Sequence, residues 1–310
     1  MNNKKIIVIG AAVADITGIV NKKLILADSN PGKVTFTAGG VGRNMAENLA
    51  RLGVSVDFIA SFGEGFYGKG LVENCKNAGI SIENSIIDKY KTSAIYLSVN
   101  NHEGDLAIAV SDTDITEIIT PDFLETKAEI FAKTDVILLD TNLTQETLEY
   151  ICTKFQDKKI FVDFVSTSKA QKVKDFIGKF HTIKPNLIEA EALSGISYNS
   201  DKDLPKMLDY FLKKGVKQVF ISLGSRGCFY GNETENGIFE SAKISPVNAS
   251  GAGDAFISGV VYSFLHEKDI RQTACYATAM SIAALMSNSA VNENISENYI
   301  NQIIKKYNLC

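Results

Sequence analysis

Short apolar runs alternate with segments of helical period along most of the chain, and this alternation restricts it to a layered α/β fold. Residues 6–9 (IIVI), 58–60, 136–139, 160–162 and 219–222 are nearly unbroken apolar runs. Such runs suit parallel strands that are covered on both faces. Helix-period segments over 41–52, 67–78, 144–156, 186–194 and 203–214 lie between them, and 251–306 is mostly helical. Strand alternating with helix places helices on both faces of one sheet. With 310 residues, the chain can bury a large core.

Two segments break the rhythm. Residues 14–37 and 92–112 are rich in Thr, Val, Ile and Tyr with partial alternation. Residues 94–99 and 106–110 flank a Gly-containing stretch and read as a hairpin. The expectation is a body of residues 1–13, 38–91 and 113–310. A small β-sheet lid, inserted as 14–37 and 92–112, would cover the strand ends.

Composition narrows the function classes. The net charge is −4 with no block of either sign, so nothing points to a nucleic-acid partner. No run of about eighteen apolar residues suggests a membrane span. The N-terminal stretch enters a strand without a signal-peptide hydrophobic region. The five cysteines are scattered, without CxxC spacing. They read as reduced thiols of a cytoplasmic protein, forming neither a disulfide frame nor a zinc site. Lys169, Lys172, Lys174 and Lys179 read as a solvated helix face.

Residues 248–256 (NASGAGDAF) open a helix. The first amides of a helix have no intrahelical partner, and the dipole there favours an anion. Gly251, Ala252 and Gly253 would let a phosphate approach the backbone. A carboxylate at Asp254 repels phosphate, unless it takes a proton from a nucleophile that attacks the phosphate. A tight turn with an acidic first-turn residue fits this stretch equally well. Gly39-Gly40-Val41-Gly42-Arg43-Asn44 precedes another helix. Read as a dinucleotide fingerprint, Gly40-Val41-Gly42-Arg43-Asn44-Met45 lacks the third glycine. Asn44 can hydrogen-bond sugar hydroxyls or cap the helix. Asp15, past the first strand, can hold a diol or serve a turn. Asn186 and Glu189 share one helix face and suit hydrated Mg²⁺, or form a capping box. Ser222, Gly224 and Gly227 end a strand and allow a nucleotide to pass close.

Taken together in this order, these segments resemble the ribokinase family, the PfkB-type carbohydrate kinases, from residue 4 to about 306. The resemblance implies a Rossmann-like α/β/α sandwich with a β lid, and transfer of the γ-phosphoryl of ATP to a sugar hydroxyl with Mg²⁺. It implies Asp254 as catalytic base and the amides of Gly251, Ala252 and Gly253 as the anion hole. Asp15, Gly39, Gly40 and Asn44 would bind the sugar. Lys184, Asn186, Ser222, Gly224, Gly227, Gly251 and Gly253 would serve ATP, with Ala279 and Ala283 lining the adenine pocket. Asn186 and Glu189 would organise Mg²⁺ through water. Residues 27–33 and 36–44, Thr92 and Ser93, and residues 181–191 look like the pseudouridine kinases of that family. So do Asp163 and Ser166 with Lys169. On this resemblance Asp28, Ser29, Asn30, Thr92, Ser93 and Lys169 would meet the substrate. Many family members carry Asp where this chain has Asn248, which puts activation by a monovalent cation in doubt. A homodimer through the lid edges is expected. Rival readings are a ribokinase, another nucleoside or sugar kinase, and a catalytically silent sugar-binding protein on the same fold.

Overall fold

The computed structural model describes residues 5–309, and its apolar runs pair side by side in one sheet. The first third runs β1 (Lys5–Ile9), β2 (Val13–Val20), β3 (Gly32–Gly39), α1 (Val41–Arg51), β4 (Ser55–Ile59), β5 (Ser61–Gly63), α2 (Phe66–Asn77), β6 (Ile86–Asp88), β7 (Ala94–Asn100) and β8 (Leu106–Asp112). The middle continues with α3 (Pro121–Glu125), α4 (Ala128–Phe131), β9 (Val136–Asp140), α5 (Gln145–Lys154), β10 (Lys159–Asp163), α6 (Thr167–Ala170), β11 (Thr182–Lys184) and α7 (Leu187–Ser194). The chain ends with α8 (Leu204–Lys214), β12 (Gln218–Ser222), β13 (Gly227–Gly231), β14 (Asn236–Glu240), α9 (Ala252–Leu265), α10 (Ile270–Leu285) and α11 (Glu297–Lys306).

The large sheet has the order β14-β13-β12-β11-β10-β9-β1-β4. It is parallel from β4 to β12, with β13 and β14 as an antiparallel edge. The unbroken apolar run of β1 has a direct cause. Ile6 and Val8 enter a core built with α1, α9 and α10, while Ile7 and Ile9 enter a second core with α5 and α8. Both faces are covered, so no position alternates to polar. This is the expected ribokinase-like architecture.

A second sheet has the order β3-β2-β7-β8. Its two chain segments join only through the parallel pairing of β2 with β7. The register gives its faces opposite characters. Asp15, Thr37, Tyr96 and Ser111 share one face in a row across the strands. Ile16, Phe36, Leu97 and Val110 form the matching row on the other, where Val34, Ile108 and Val110 are exposed.

One expectation holds only in part. Of the lysine segment, Lys179 is exposed, whereas Lys169 and Lys172 are half-buried and held by the protein. Lys169 Nζ donates to Asn142 Oδ1 at 2.5 Å, and Lys172 Nζ donates to the carbonyls of Thr141 and Leu143. These ammonium groups satisfy oxygens left unpaired where β9 ends. Cys75, Cys152 and Cys228 are free and buried. Among the described residues no helix is long and apolar enough to cross a membrane.

Candidate active site

The parallel strands end in a row of polar groups. Asp140 closes β9, Asp163 closes β10, Lys184 closes β11 and Ser222 closes β12. Ligands of open α/β sheets bind at such carboxyl ends. Asp140 Oδ2 accepts from the Ala11 amide at 2.9 Å, and its Oδ1 accepts from the Asn142 amide at 2.8 Å. A side chain at Gly10 would overlap the Asp140 carboxylate. The exit of β1 is therefore glycine by necessity.

The entry of α1 is equally crowded. Gly40 caps it at φ 94°, and a Cβ there would lie 2.5 Å from the Ala11 carbonyl oxygen. A Cβ at Gly39 would overlap the carboxylate of Asp15. The glycine pair thus lets the lid carboxylate close on the start of α1. Burial pushes Asp15 up to about 6, with the Arg43 guanidinium pulling the other way.

Asn44 lies in the first turn of α1, buried. Its Nδ2 donates to Asp254 Oδ2 at 2.8 Å, and its Oδ1 accepts from Arg43 Nη1 at 2.8 Å. Asp254 is the third residue of α9 and is 9 % exposed. Burial, then the nearby Asp163 carboxylate, pushes it up to about 7, against the Asn44 donor and the Lys184 ammonium. Lys184 Nζ pairs with Asp163 Oδ2 at 2.8 Å, both side chains being buried. Burial alone would lower Lys184. Asp163, Glu189 and Asp254 outweigh it, and the net shift is upward.

The start of α9 has no side-chain cap. Its N-cap Gly251 takes a left-handed φ of 78°, and a Cβ there would collide with the Ala290 carbonyl. A Cβ on Gly253 would lie 3.2 Å from Lys184 Nζ. A helix N-terminus, a lysine and a carboxylate therefore converge at one point. Beside it opens a cavity of ≈ 890 Å³, lined by Asn186, Ser222, Gly224, Gly227, Ala252, Gly253, Phe256, Thr278, Ser281 and Leu285. Its size and mixed lining suit a nucleotide.

The structure thus brings together Asp15, Gly39, Gly40, Asn44, Gly251, Ala252, Gly253 and Asp254, with Lys184 beside Gly253 and with Asn186, Ser222, Gly224 and Gly227 lining the adjoining cavity. Ala279 and Ala283 do not line that cavity. They are fully buried in the core, because the cavity face of α10 carries Thr278, Ser281 and Leu285 at three- and four-residue spacing. Asp28, Ser29 and Asn30 sit in the β2–β3 loop. Asn30 bonds to the backbone of Ile25 and Asp28, and Asp28 accepts from the Ser29 amide, so these polar atoms serve the loop. Ser93 is buried and accepts from the Gly63 amide at 2.8 Å, a structural tie, while Thr92 is exposed. Lys169 is held by Asn142, two residues beyond Asp140.

Asn186 and Glu189 do form a capping box. Asn186 Oδ1 accepts from the Glu189 amide at 2.9 Å, and Glu189 Oε2 accepts from the Asn186 amide at 2.8 Å. Burial pushes the Glu189 carboxyl up, while the Asn186 amide and Lys184 draw it down. Among the described residues no group of three or more His, Cys, Asp or Glu could cage a metal. One buried carboxylate with a free oxygen fits a hydrated Mg²⁺ that is held mainly by phosphates and water.

Sequence reasoning missed Asp140 as a site residue and left Asp163 and Arg43 without roles. Each aspartate directly follows an apolar strand run, and that position was the available signal. It also gave no role to Tyr96, which the register places beside Asp15 on the polar lid face and which is 37 % exposed.

Residues 3–296 match the pfkB family of carbohydrate kinases. The chain belongs to that family. This pfkB-family kinase is 33% identical over 292 residues to the pseudouridine kinase of Escherichia coli K12, across 94% of this chain and 93% of that one. It is 33% identical over 291 residues to the uncharacterized sugar kinase YeiI of the same strain, across 94% of this chain and 80% of the other. It superposes on a carbohydrate kinase from Agrobacterium tumefaciens with a TM-score of 0.85 and 29% identity, covering 97% of each chain. As a member of the family it is a phosphotransferase.

Proposed function

We propose that this kinase transfers the γ-phosphoryl group of ATP to the 5′-hydroxyl of pseudouridine. The observation that carries the chemistry is Asp254: a buried carboxylate, held by Asn44, directly at the uncapped N-terminus of α9. Phosphoryl transfer depends on positioning and charge stabilisation more than on covalent steps. Asp254 accepts the proton of the attacking hydroxyl. The amides of Ala252 and Gly253, with Lys184 behind them, take the charge that develops on the transferring group. Asp15 holds the ribose diol, and Ser222, Gly224 and Gly227 border the nucleotide. Mg²⁺, when bound, would neutralise phosphate charge, and Glu189 with Asn186 would hold its water shell.

The choice of pseudouridine is supported by the identity shared with an E. coli pseudouridine kinase. The exposed Tyr96 ring beside Asp15 offers a stacking face for a base attached to that ribose. The apolar outer face of the lid, with Val34, Ile108 and Val110 exposed, supports a homodimer formed through the lid. A cytoplasmic location goes with this reading.

The test is ADP release with Mg²⁺-ATP against pseudouridine, uridine, cytidine, adenosine, inosine, ribose and fructose 6-phosphate. Turnover confined to pseudouridine is expected. Preference for another acceptor would keep the mechanism and discard the substrate. No turnover on any of them, with ATP bound, would overturn both.

A further inference from the structure

We propose that Arg43 is a positioning residue for the transfer: its guanidinium fixes the Asn44 carboxamide in the orientation that donates to Asp254, and ties that orientation to the seating of the lid. The inference rests on the reading of Asp254 as the catalytic base.

A carboxamide has two ends of nearly the same shape, so sterics do not choose between them. Chemistry chooses here. Arg43 has only donors, and Nη1 reaches Asn44 Oδ1 at 2.8 Å. The nitrogen end must then face Asp254, where it donates at 2.8 Å. With the amide reversed, its oxygen would face a carboxylate and its NH₂ a guanidinium, and both contacts would be repulsive. Arg43 thus sets the sense of a relay that ends on the base.

Arg43 is itself held on several sides and is 4 % exposed. Nε and Nη2 donate to Asn74 Oδ1 of α2 at 3.0 and 2.8 Å. Nη2 also pairs with Glu47, which Arg51 holds from its other side. Nη1 donates in addition to the Ala38 carbonyl at 3.1 Å, near the end of lid strand β3. One planar group therefore contacts the lid, α2 and the partner of the base. A lysine could keep the charge near Glu47 but could not span these acceptors at once.

The charged groups around Asp254 are Asp163, Lys184 and Asp140, and those around Arg43 are Glu47, Arg51 and Asp15. Loss of the Asn44 donation removes a contact that favours the ionised Asp254, so the base would gain its proton at higher pH.

The experiment compares Arg43→Lys, Asn44→Ala and the double variant in the intact enzyme, using the best acceptor of the panel. In Arg43→Lys, kcat is expected to fall roughly 10- to 100-fold with KM for ATP unchanged, and the acidic limb of kcat against pH should move upward. In the Asn44→Ala background, Arg43→Lys should cost little more. A folded Arg43→Lys with the wild-type kcat and pH limb, or losses that simply multiply in the double variant, would overturn the proposal. Should Arg43→Lys not fold, Asn74→Ala removes one acceptor from Arg43 and leaves its charge pair. It should lower kcat and shift the limb in the same direction, and an unchanged profile would overturn the proposal. An Asp254→Asn variant that keeps full turnover would instead refute the underlying assignment of the base.

Discussion

Asn44 and Asp254, 210 positions apart in the chain, meet through one 2.8 Å hydrogen bond between the first turns of two helices. That bond joins the glycine-rich entry of α1 to the glycine-rich entry of α9. Neither helix start is cushioned by side chains, so the two polar groups sit at a fixed separation. On the reading given above, substrate and phosphate meet at this junction.

Asp254→Ala should lower kcat about 10²- to 10⁴-fold while KM for the nucleoside changes little. Steady-state kinetics with the preferred acceptor checks this. Near-wild-type turnover would remove Asp254 from the mechanism.

The pH dependence follows from the folded Asp254 carboxyl, which burial holds at about 7. A base must be ionised, so kcat should rise as pH increases through about 7. Stability runs the other way. Between the ordinary value of 3.8 and about 7, the folded state keeps a proton that the unfolded chain releases. The contribution of this group to stability therefore falls across that window as pH rises. Asp15, raised to about 6, adds a smaller effect of the same sign. Asp254→Asn should then melt higher than the wild type at pH 8, by about 2–4 °C for each kcal/mol recovered. Thermal denaturation at pH 5 and pH 8 tests it: the difference should shrink at the lower pH.

Gly251 and Gly253 should respond differently to alanine. Gly251→Ala forces a side chain onto the Ala290 carbonyl at a left-handed φ of 78°. Both stability and activity should drop, with a loss on the order of 1–3 kcal/mol for the strained backbone alone. Gly253→Ala places a methyl 3.2 Å from Lys184 Nζ, where only a side chain must shift. Its melting temperature should stay near wild type while kcat falls. Equal destabilisation of the two variants would contradict this.

Potassium should have little effect on rate. Asn248 Nδ2 donates to the Asn288 carbonyl at 3.1 Å, and Asn248 Oδ1 accepts from the Ser250 amide at 2.9 Å. Both ends of the Asn248 carboxamide are thus engaged by the protein, and residues 241–251 carry no carboxylate to offset a bound charge. A steep rise in turnover on replacing Na⁺ by K⁺ at constant ionic strength would show this to be wrong.

The body of the fold was legible because burial on both faces leaves an unbroken apolar signature, as in β1. Glycines at helix entries were legible because their need is local: Gly40 and Gly251 take backbone angles that other residues avoid. What the sequence hid depends on the direction of a side chain in three dimensions. Ala279 and Thr278 are neighbours in sequence, yet one faces the core and the other the cavity. Ser93 carries the polar atom expected of a ligand contact, but the Gly63 amide claims it. Lys172 looked solvated until β9 placed two unpaired carbonyls beneath it. Non-local partners decide each of these cases, and no window of sequence contains them.

The lid sheet is assembled from two pieces of chain that meet only where β2 runs parallel to β7. Between them lie α1, β4, β5, α2 and β6, all part of the body or of its edge. Neither hairpin alone can complete the sheet, since two-stranded pieces are marginal in water. The lid must therefore assemble late, on a body that has already brought its two halves into register. The same order in reverse governs partial opening. Breaking the single β2–β7 seam would detach Tyr96 from Asp15 and divide the polar face between two hairpins, while Asp254, Lys184 and the cavity stayed intact. The amides of β2 and β7 should accordingly exchange with deuterium well before those of β1, β9 and β10, so that the face proposed to hold the acceptor is lost by local unfolding before the fold is.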